Sequence, residues 1–227
     1  MSVRDDLSLL KSELVEVCHK VYEKGFVSAY DGNLSIRIDE DRVLITPSGK
    51  CKGEVRVEDL VEVNMKGERV SGTGKVSTEV KIHLLAYTKR KDVSAVVHCH
   101  PVYATAFATA GEGFTRGVFP EVILSLGKVP LCKYGTPSTD ELPESMLPHI
   151  EFSWAMLFEN HGAITFGKNI KGAYYRMEKL EHAAHTLFIA RSLGRERNLP
   201  LLKLKQLYDI AEDTYGIKID PRNRVDN

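Results

Sequence analysis

Apolar positions Leu7, Leu10, Leu14, Val17 and Val21 recur three and four residues apart, the repeat of one helix face, and Gly25 ends the run. The period then changes. Residues 34–38 alternate apolar and polar, as a half-buried strand does, directly after a turn cluster at Tyr30-Asp31-Gly32-Asn33. Residues 42–46 read as a second strand closed by Pro47-Ser48-Gly49, and residues 61–64 and 69–70 flank Lys66-Gly67-Glu68 as a hairpin. A helix is expected from Ser77, with Ser77 or Thr78 as its N-cap and Val80, Leu84 and Tyr87 on its buried face. Residues 95–100 form a short apolar run stopped by Pro101, the pattern of a buried strand. Beyond it come an alanine-rich helix to about residue 110, a loop over 112–120, and a stretch at 121–126 that suits helix or strand. Strands follow at 129–132, 154–158 and 163–166, then a long helix over 170–193 and a last one over 202–214. This irregular alternation, with hairpins mixed in, predicts one layered α/β domain over residues 1–227, built on a mixed sheet rather than a regular parallel one.

Composition narrows the function classes. The chain has 227 residues, 43% of them hydrophobic, enough for a sizeable single core. Lys plus Arg and Asp plus Glu are 31 each, so no overall basic field attracts nucleic acid. Cys18, Cys51, Cys99 and Cys132 show no pairing pattern, which points to a reduced, cytoplasmic setting. The N-terminus carries charge rather than an apolar leader, and no apolar run approaches about 18 residues, so no membrane segment is expected.

Candidate chemistry gathers around His98-Cys99-His100. Side chains two apart on a strand share a face, so the two imidazoles either decorate a solvated strand end or converge on a transition metal, while Cys99 faces the opposite core. His161, at the turn Glu159-Asn160-His161-Gly162, is either a surface residue or a third imidazole completing a site with an open position. Glu79 near its helix start complements the helix dipole or, if the helix start lies beside the strand end, serves as general base. Gly32-Asn33, Thr46 to Gly49 and Ser77-Thr78 are turns and caps that also suit phosphate, the last because a helix N-terminus presents free N–H groups.

Taken together, Asp31-Gly32-Asn33-Leu34-Ser35, Ile45-Thr46-Pro47-Ser48-Gly49, Ser77-Thr78-Glu79, His98-Cys99-His100 and Glu159-Asn160-His161-Gly162 resemble the class II aldolase/adducin-head family in order and spacing. The resemblance covers nearly the whole chain, to Thr214-Tyr215-Gly216. It implies a largely antiparallel central sheet flanked by helices. It implies one divalent ion per subunit, zinc or else manganese or cobalt, held by His98, His100 and His161. Glu79 would be the resting fourth ligand and then the acid/base. Asn33, Thr46, Gly49, Ser77 and Thr78 would form the phosphate pocket. It also implies a homotetramer with sites between subunits, where Tyr215 acts near the substrate, and Glu121 stands where aldolases of the family carry a tyrosine. The implied activity is reversible cleavage of a ketose 1-phosphate (L-fuculose 1-phosphate or a 5-deoxypentulose 1-phosphate) into dihydroxyacetone phosphate and a short aldehyde. The family also holds a methylthioribulose-1-phosphate dehydratase, a pentulose-phosphate 4-epimerase and the non-enzymatic adducin head.

Overall fold

The computed structural model describes the backbone of residues 3–225 and the side chains of residues 7–225; residues 1, 2, 226 and 227 of the expected domain lie outside the described residues. Strands β1 (Asn33–Arg37), β2 (Arg42–Ile45), β3 (Val61–Asn64), β4 (Arg69–Ser71), β5 (Ala95–Cys99), β6 (Leu131–Cys132), β7 (Ala155–Phe158) and β8 (Gly162–Gly167) form one sheet. Its order is β4-β3-β2-β1-β5-β8-β7-β6, antiparallel throughout except for the β6–β7 pair. The helices are α1 (Val3–Glu23), α2 (Val80–Lys89), α3 (Val102–Thr109), α4 (Pro120–Ser125), α5 (Glu141–Met146), α6 (Ile170–Ser192) and α7 (Leu201–Tyr215). The mixed, largely antiparallel sheet with flanking helices is therefore observed.

The strand alternation sorts side chains into two cores. Ala95, Val97 and Cys99 of β5 join Leu14, Val17 and Val21 of α1 and Met177, Leu180 and Ala184 of α6 on one face. Val96 joins Ile82 and Tyr87 of α2 and Met146 of α5 on the other. His98, two residues from Val96, shares that second face and is fully buried. Cys99 therefore sits in the core opposite the histidines, as expected.

Three local expectations are corrected and one open choice, helix or strand at 121–126, is settled. Helix α2 begins at Val80 with Glu79 as its N-cap residue, not Ser77 or Thr78; the Ser77 hydroxyl accepts instead from the Glu79 amide at 3.3 Å. Residues 120–125 are helical, started by Pro120, whose fixed φ suits the first helical position. Val129 lies outside β6 and meets Phe114 in an isolated bridge. Helix α5 was not expected: six residues with a proline among them carry too little periodicity to register.

Candidate active site

Pairing register assembles the site. Asn33 of β1 sits opposite His98 of β5, and His98 sits opposite Ile164 of β8, so the central strand carries His98 between two neighbours that end near the same point. Past the end of β5 the chain stays tied down, because the His100 amide donates to the Phe26 carbonyl at 2.9 Å. Pro101 then starts α3, whose first amides, Tyr103 and Ala104, donate to the Glu181 carboxylate of α6 at 2.9 and 2.8 Å. His161 stands in the tight β7–β8 connection, with Asn160 at φ 54° and the His161 amide bonded to the Phe158 carbonyl at 3.1 Å.

These three backbones bring three imidazoles into a near-equilateral triangle. Ring centroids lie 5.0 Å apart for His98 and His100, and 4.9 Å for each pair involving His161. The Nδ1 of His98 donates to the Ala163 carbonyl at 2.9 Å, which leaves its Nε2 as a bare lone pair facing His100 Nε2 at 3.3 Å. The Glu79 carboxylate closes the group, 3.5 Å from His98 Nε2 and 3.3 Å from His161 Nε2. Burial holds all three rings neutral: His98 is driven well below the usual imidazole range, His100 falls to about 3, and His161 is lowered too.

The donor set fits a divalent transition metal. Bonds of about 2.0–2.1 Å in tetrahedral geometry place neighbouring ligand atoms roughly 3.3 Å apart, close to the His98–His100, His98–Glu79 and His161–Glu79 separations of 3.3, 3.5 and 3.3 Å. Neutral imidazoles whose ring nitrogens converge in this way can offer their lone pairs to one cation. His98, His100 and His161 can supply three ligands and Glu79, 3.5 and 3.3 Å from two of them, a fourth.

Gly162 sets how closely the triangle closes. A Cβ there would fall inside contact distance of the His100 ring and 2.7 Å from the Cys99 carbonyl. Gly162→Ala is expected to push His100 outward and weaken zinc binding by about 10–100-fold, the scale seen when support of a ligand is lost. Competition against a chromogenic chelator measures this, and unchanged affinity would show that His100 tolerates the displacement.

The histidines open into a cavity of about 220 Å³ walled by three polar segments: Tyr30 to Asn33, Pro47 to Gly49, and Ser77 to Glu79. Asn33 is held there by a 2.7 Å hydrogen bond from its Nδ2 to Glu79 Oε2. Gly49, Ser77 and Thr78 line the cavity. Thr46 does not: it is fully buried and its hydroxyl accepts from the Leu34 amide at 3.2 Å, so it braces the loop from behind. Glu121 and Tyr215 are not brought to this cavity within the chain. Glu121 lines a separate groove with Phe119 and His182, and Tyr215 ends α7 at 64% exposure.

Sequence reasoning missed Lys52. Its ammonium, almost wholly buried, donates to the Tyr30 and Lys50 carbonyls at 3.0 and 2.9 Å and ties two of the three walls together. A lysine is ordinarily exposed, and nothing in its local pattern signals otherwise. Among the described residues, no helix is long and apolar enough to cross a membrane. The four cysteines are free.

Comparison with known proteins agrees with this geometry. The chain is 34% identical over 183 residues to a 3-oxo-tetronate 4-phosphate decarboxylase of Pectobacterium atrosepticum, covering 79% of this chain and 84% of that protein. It is 34% identical over 182 residues to an L-fuculose phosphate aldolase of Methanococcus maripaludis, covering 79% and 96%. The solved structure of an L-fuculose 1-phosphate aldolase superposes with a TM-score of 0.82 at 29% identity, over 89% of this chain and 95% of that one. Residues 12–188 match the family described as the class II aldolase and adducin N-terminal domain, and the chain belongs to that family.

Proposed function

We propose that the protein is a metal-dependent lyase that cleaves a ketose 1-phosphate, L-fuculose 1-phosphate or a 5-deoxypentulose 1-phosphate, into dihydroxyacetone phosphate and a short aldehyde. The observation that carries this reading is the neutral three-histidine cluster beside the Glu79 carboxylate, facing a polar cavity. When bound, a divalent ion (zinc, manganese or cobalt, one per subunit) supplies Lewis-acid stabilisation of the negative charge that cleavage leaves across C2 and C3. The chain's own residues do the rest. Asn33, Gly49, Ser77 and Thr78 grip the phosphate, with Thr46 and Lys52 bracing their loops, and that binding energy orients the C3–C4 bond. Glu79, with Oε2 held by Asn33 and Oε1 3.3 Å from His161 Nε2, carries the proton to C3. The C4 hydroxyl proton leaves to Tyr215 or Glu121 of a neighbouring subunit, or to water. Exposed Leu201, Leu202 and Ile210 on the Tyr215 helix support burial of that helix in a homotetramer. Pairing of Asn223 with Lys128 and Leu126 supports a single domain that takes in the segment after the last helix. A cytoplasmic protein suits the free cysteines.

A second reading is favoured by the decarboxylase relative at 34% identity. Loss of CO₂ from a 3-oxo acid phosphate leaves the same kind of charge beside the same phosphate grip. A panel of ketose 1-phosphates and 3-oxo acid 4-phosphates, assayed for dihydroxyacetone phosphate, aldehyde and CO₂, separates the two. Aldehyde release from a ketose supports the aldolase, and CO₂ release alone moves the assignment to the decarboxylase. A dehydrated diketo phosphate, or a pentulose phosphate inverted at C4, would move it to the family's dehydratase or epimerase.

Ser77→Ala is expected to weaken binding of a phosphorylated ketose by about 1–3 kcal/mol, the worth of a hydrogen bond to a charged group. The unphosphorylated sugar should bind unchanged. Equal losses on both would remove Ser77 from the phosphate pocket.

A further inference from the structure

Behind Glu79 runs a buried chain of hydrogen bonds that the proposed chemistry leaves unused. Glu79, His83 and Tyr87 stand four residues apart along one side of α2, facing Asn33 and Ser35, two apart on β1. The Tyr87 hydroxyl lies 2.7 Å from Ser35 Oγ, and Ser35 Oγ lies 2.6 Å from His83 Nδ1. His83 Nε2 lies 2.5 Å from Asn33 Oδ1, and Asn33 Nδ2 donates to Glu79 Oε2 at 2.7 Å. Ser35, His83 and Tyr87 are at most 1% exposed. Burial holds His83 neutral, down to about 3.

A neutral imidazole has one N–H, so the chain can run in only two directions. In one, Nε2–H donates to the Asn33 carbonyl oxygen, Nδ1 accepts from Ser35, and Ser35 accepts from Tyr87. The Asn33 amide nitrogen then faces Glu79 as a donor. In the other, Nδ1–H donates to Ser35, Nε2 accepts from the turned Asn33 amide, and the amide oxygen meets the carboxylate. That sets two acceptors against each other in a buried place, which is costly.

We infer that His83 is a positioning residue that acts through Asn33: its Nε2–H tautomer, selected by Ser35, fixes which end of the Asn33 amide faces Glu79 and so where the carboxylate points. This rests on the reading of Glu79 as acid/base in the proposed lyase. Glu79 is anchored by backbone only at the start of α2, where its side chain makes no cap bond, so its direction comes from Asn33 and the histidine cluster. Orientation errors of about 1 Å cost up to roughly 100-fold in rate, so the expected effect falls on turnover more than on binding.

The test uses zinc-loaded protein labelled with ¹⁵N-histidine. Long-range ¹H–¹⁵N correlation, with the His83 signals identified by their loss in H83Q, should show the Nε2–H tautomer, and S35A should shift it toward a mixture. An Nδ1–H or doubly protonated His83 in the wild type overturns the inference. In the kinetic arm, H83L should lower kcat by about 10–100-fold with zinc content close to wild type and a smaller change in KM, since Asn33 also faces the phosphate. H83Q, which keeps a donor near Nε2, should recover most of the loss, and the H83L–H83Q difference should vanish in an N33A background. Wild-type turnover in H83L, or H83Q no better than H83L, overturns it as well. If H83L does not fold, S35A takes its place, with a smaller kcat loss expected and none overturning it. The tautomer is read without turnover, so it decides the direction of the chain even if no ketose phosphate is cleaved, while the product assay decides the lyase reading separately.

Discussion

Glu79→Gln is expected to fold, keep its three imidazole ligands and lose about 10²–10⁴ of its turnover, the range for a positioned acid/base. The substitution is nearly isosteric. The amide oxygen can still accept from Asn33 Nδ2, the 2.7 Å bond that holds the carboxylate now, so the loop around Asn33 keeps its tie to α2. What disappears is the ability to take and return a proton. Metal content and thermal unfolding should therefore stay close to wild type while kcat collapses. A variant that turns over like wild type would reduce Glu79 to an acid that complements a helix start.

Stripping the metal is expected to abolish activity and to lower the unfolding temperature. The site geometry suits a cation, because three imidazole ligand atoms lie within 4.8 Å of one another and the Glu79 carboxylate lies 3.3–3.5 Å from two of them. A ligand bound only by the folded state stabilises by about 2.7 kcal/mol at one hundred times its dissociation constant. For a chain of this length each kcal/mol moves the midpoint by about 2–4 °C, so saturating zinc should raise Tm by about 5–10 °C. Restoring zinc, manganese or cobalt should return activity in proportion to occupancy, near one ion per chain. Full activity from metal-free protein would end the metal reading, whatever the phosphate pocket does.

Much of this was legible in the residue pattern, for reasons that can be named. The apolar run over 95–99 comes from a strand with a core on both sides of the sheet, and the period of two correctly sends Cys99 away from His98. The strand at 34–38 reads as half-buried but is buried on both faces, its polar Ser35 being satisfied by His83 and Tyr87. The His-x-His spacing pointed both rings one way, although His100 lies past the strand and is held by the Phe26 carbonyl instead. Glu79 was placed in a first helical turn and proves to be the residue before it, because the start of α2 gives up its side-chain cap to the site. His83 was invisible for a different reason: it sits in an apolar helical face and reads as core, and only packing of α2 on β1 reveals its partner at Asn33. Lys52 is hidden in the same way, since burial of a charge depends on two loops meeting. Thr46 was given the right loop and the wrong direction. Tyr215 and Glu121 lie away from the cavity of their own chain, where one chain's pattern carries no information about a neighbour's surface.

The placement of β5 between β1 and β8 has a consequence for how the protein acquires its metal. Asn33 and His98 are paired across a long stretch of chain, and Cys99 and Ala163 across another. A slip of one residue in either pairing would exchange the faces of His98 and Cys99 and offer the ion a thiol from the wrong core. Pairings of such high sequence separation form slowly, because loop closure has to be met before contacts reward it. Only with β1, β5 and β8 paired in this register do His98 and His161 come to one point with Glu79, so the complete ligand set belongs to the closed sheet rather than to any one segment.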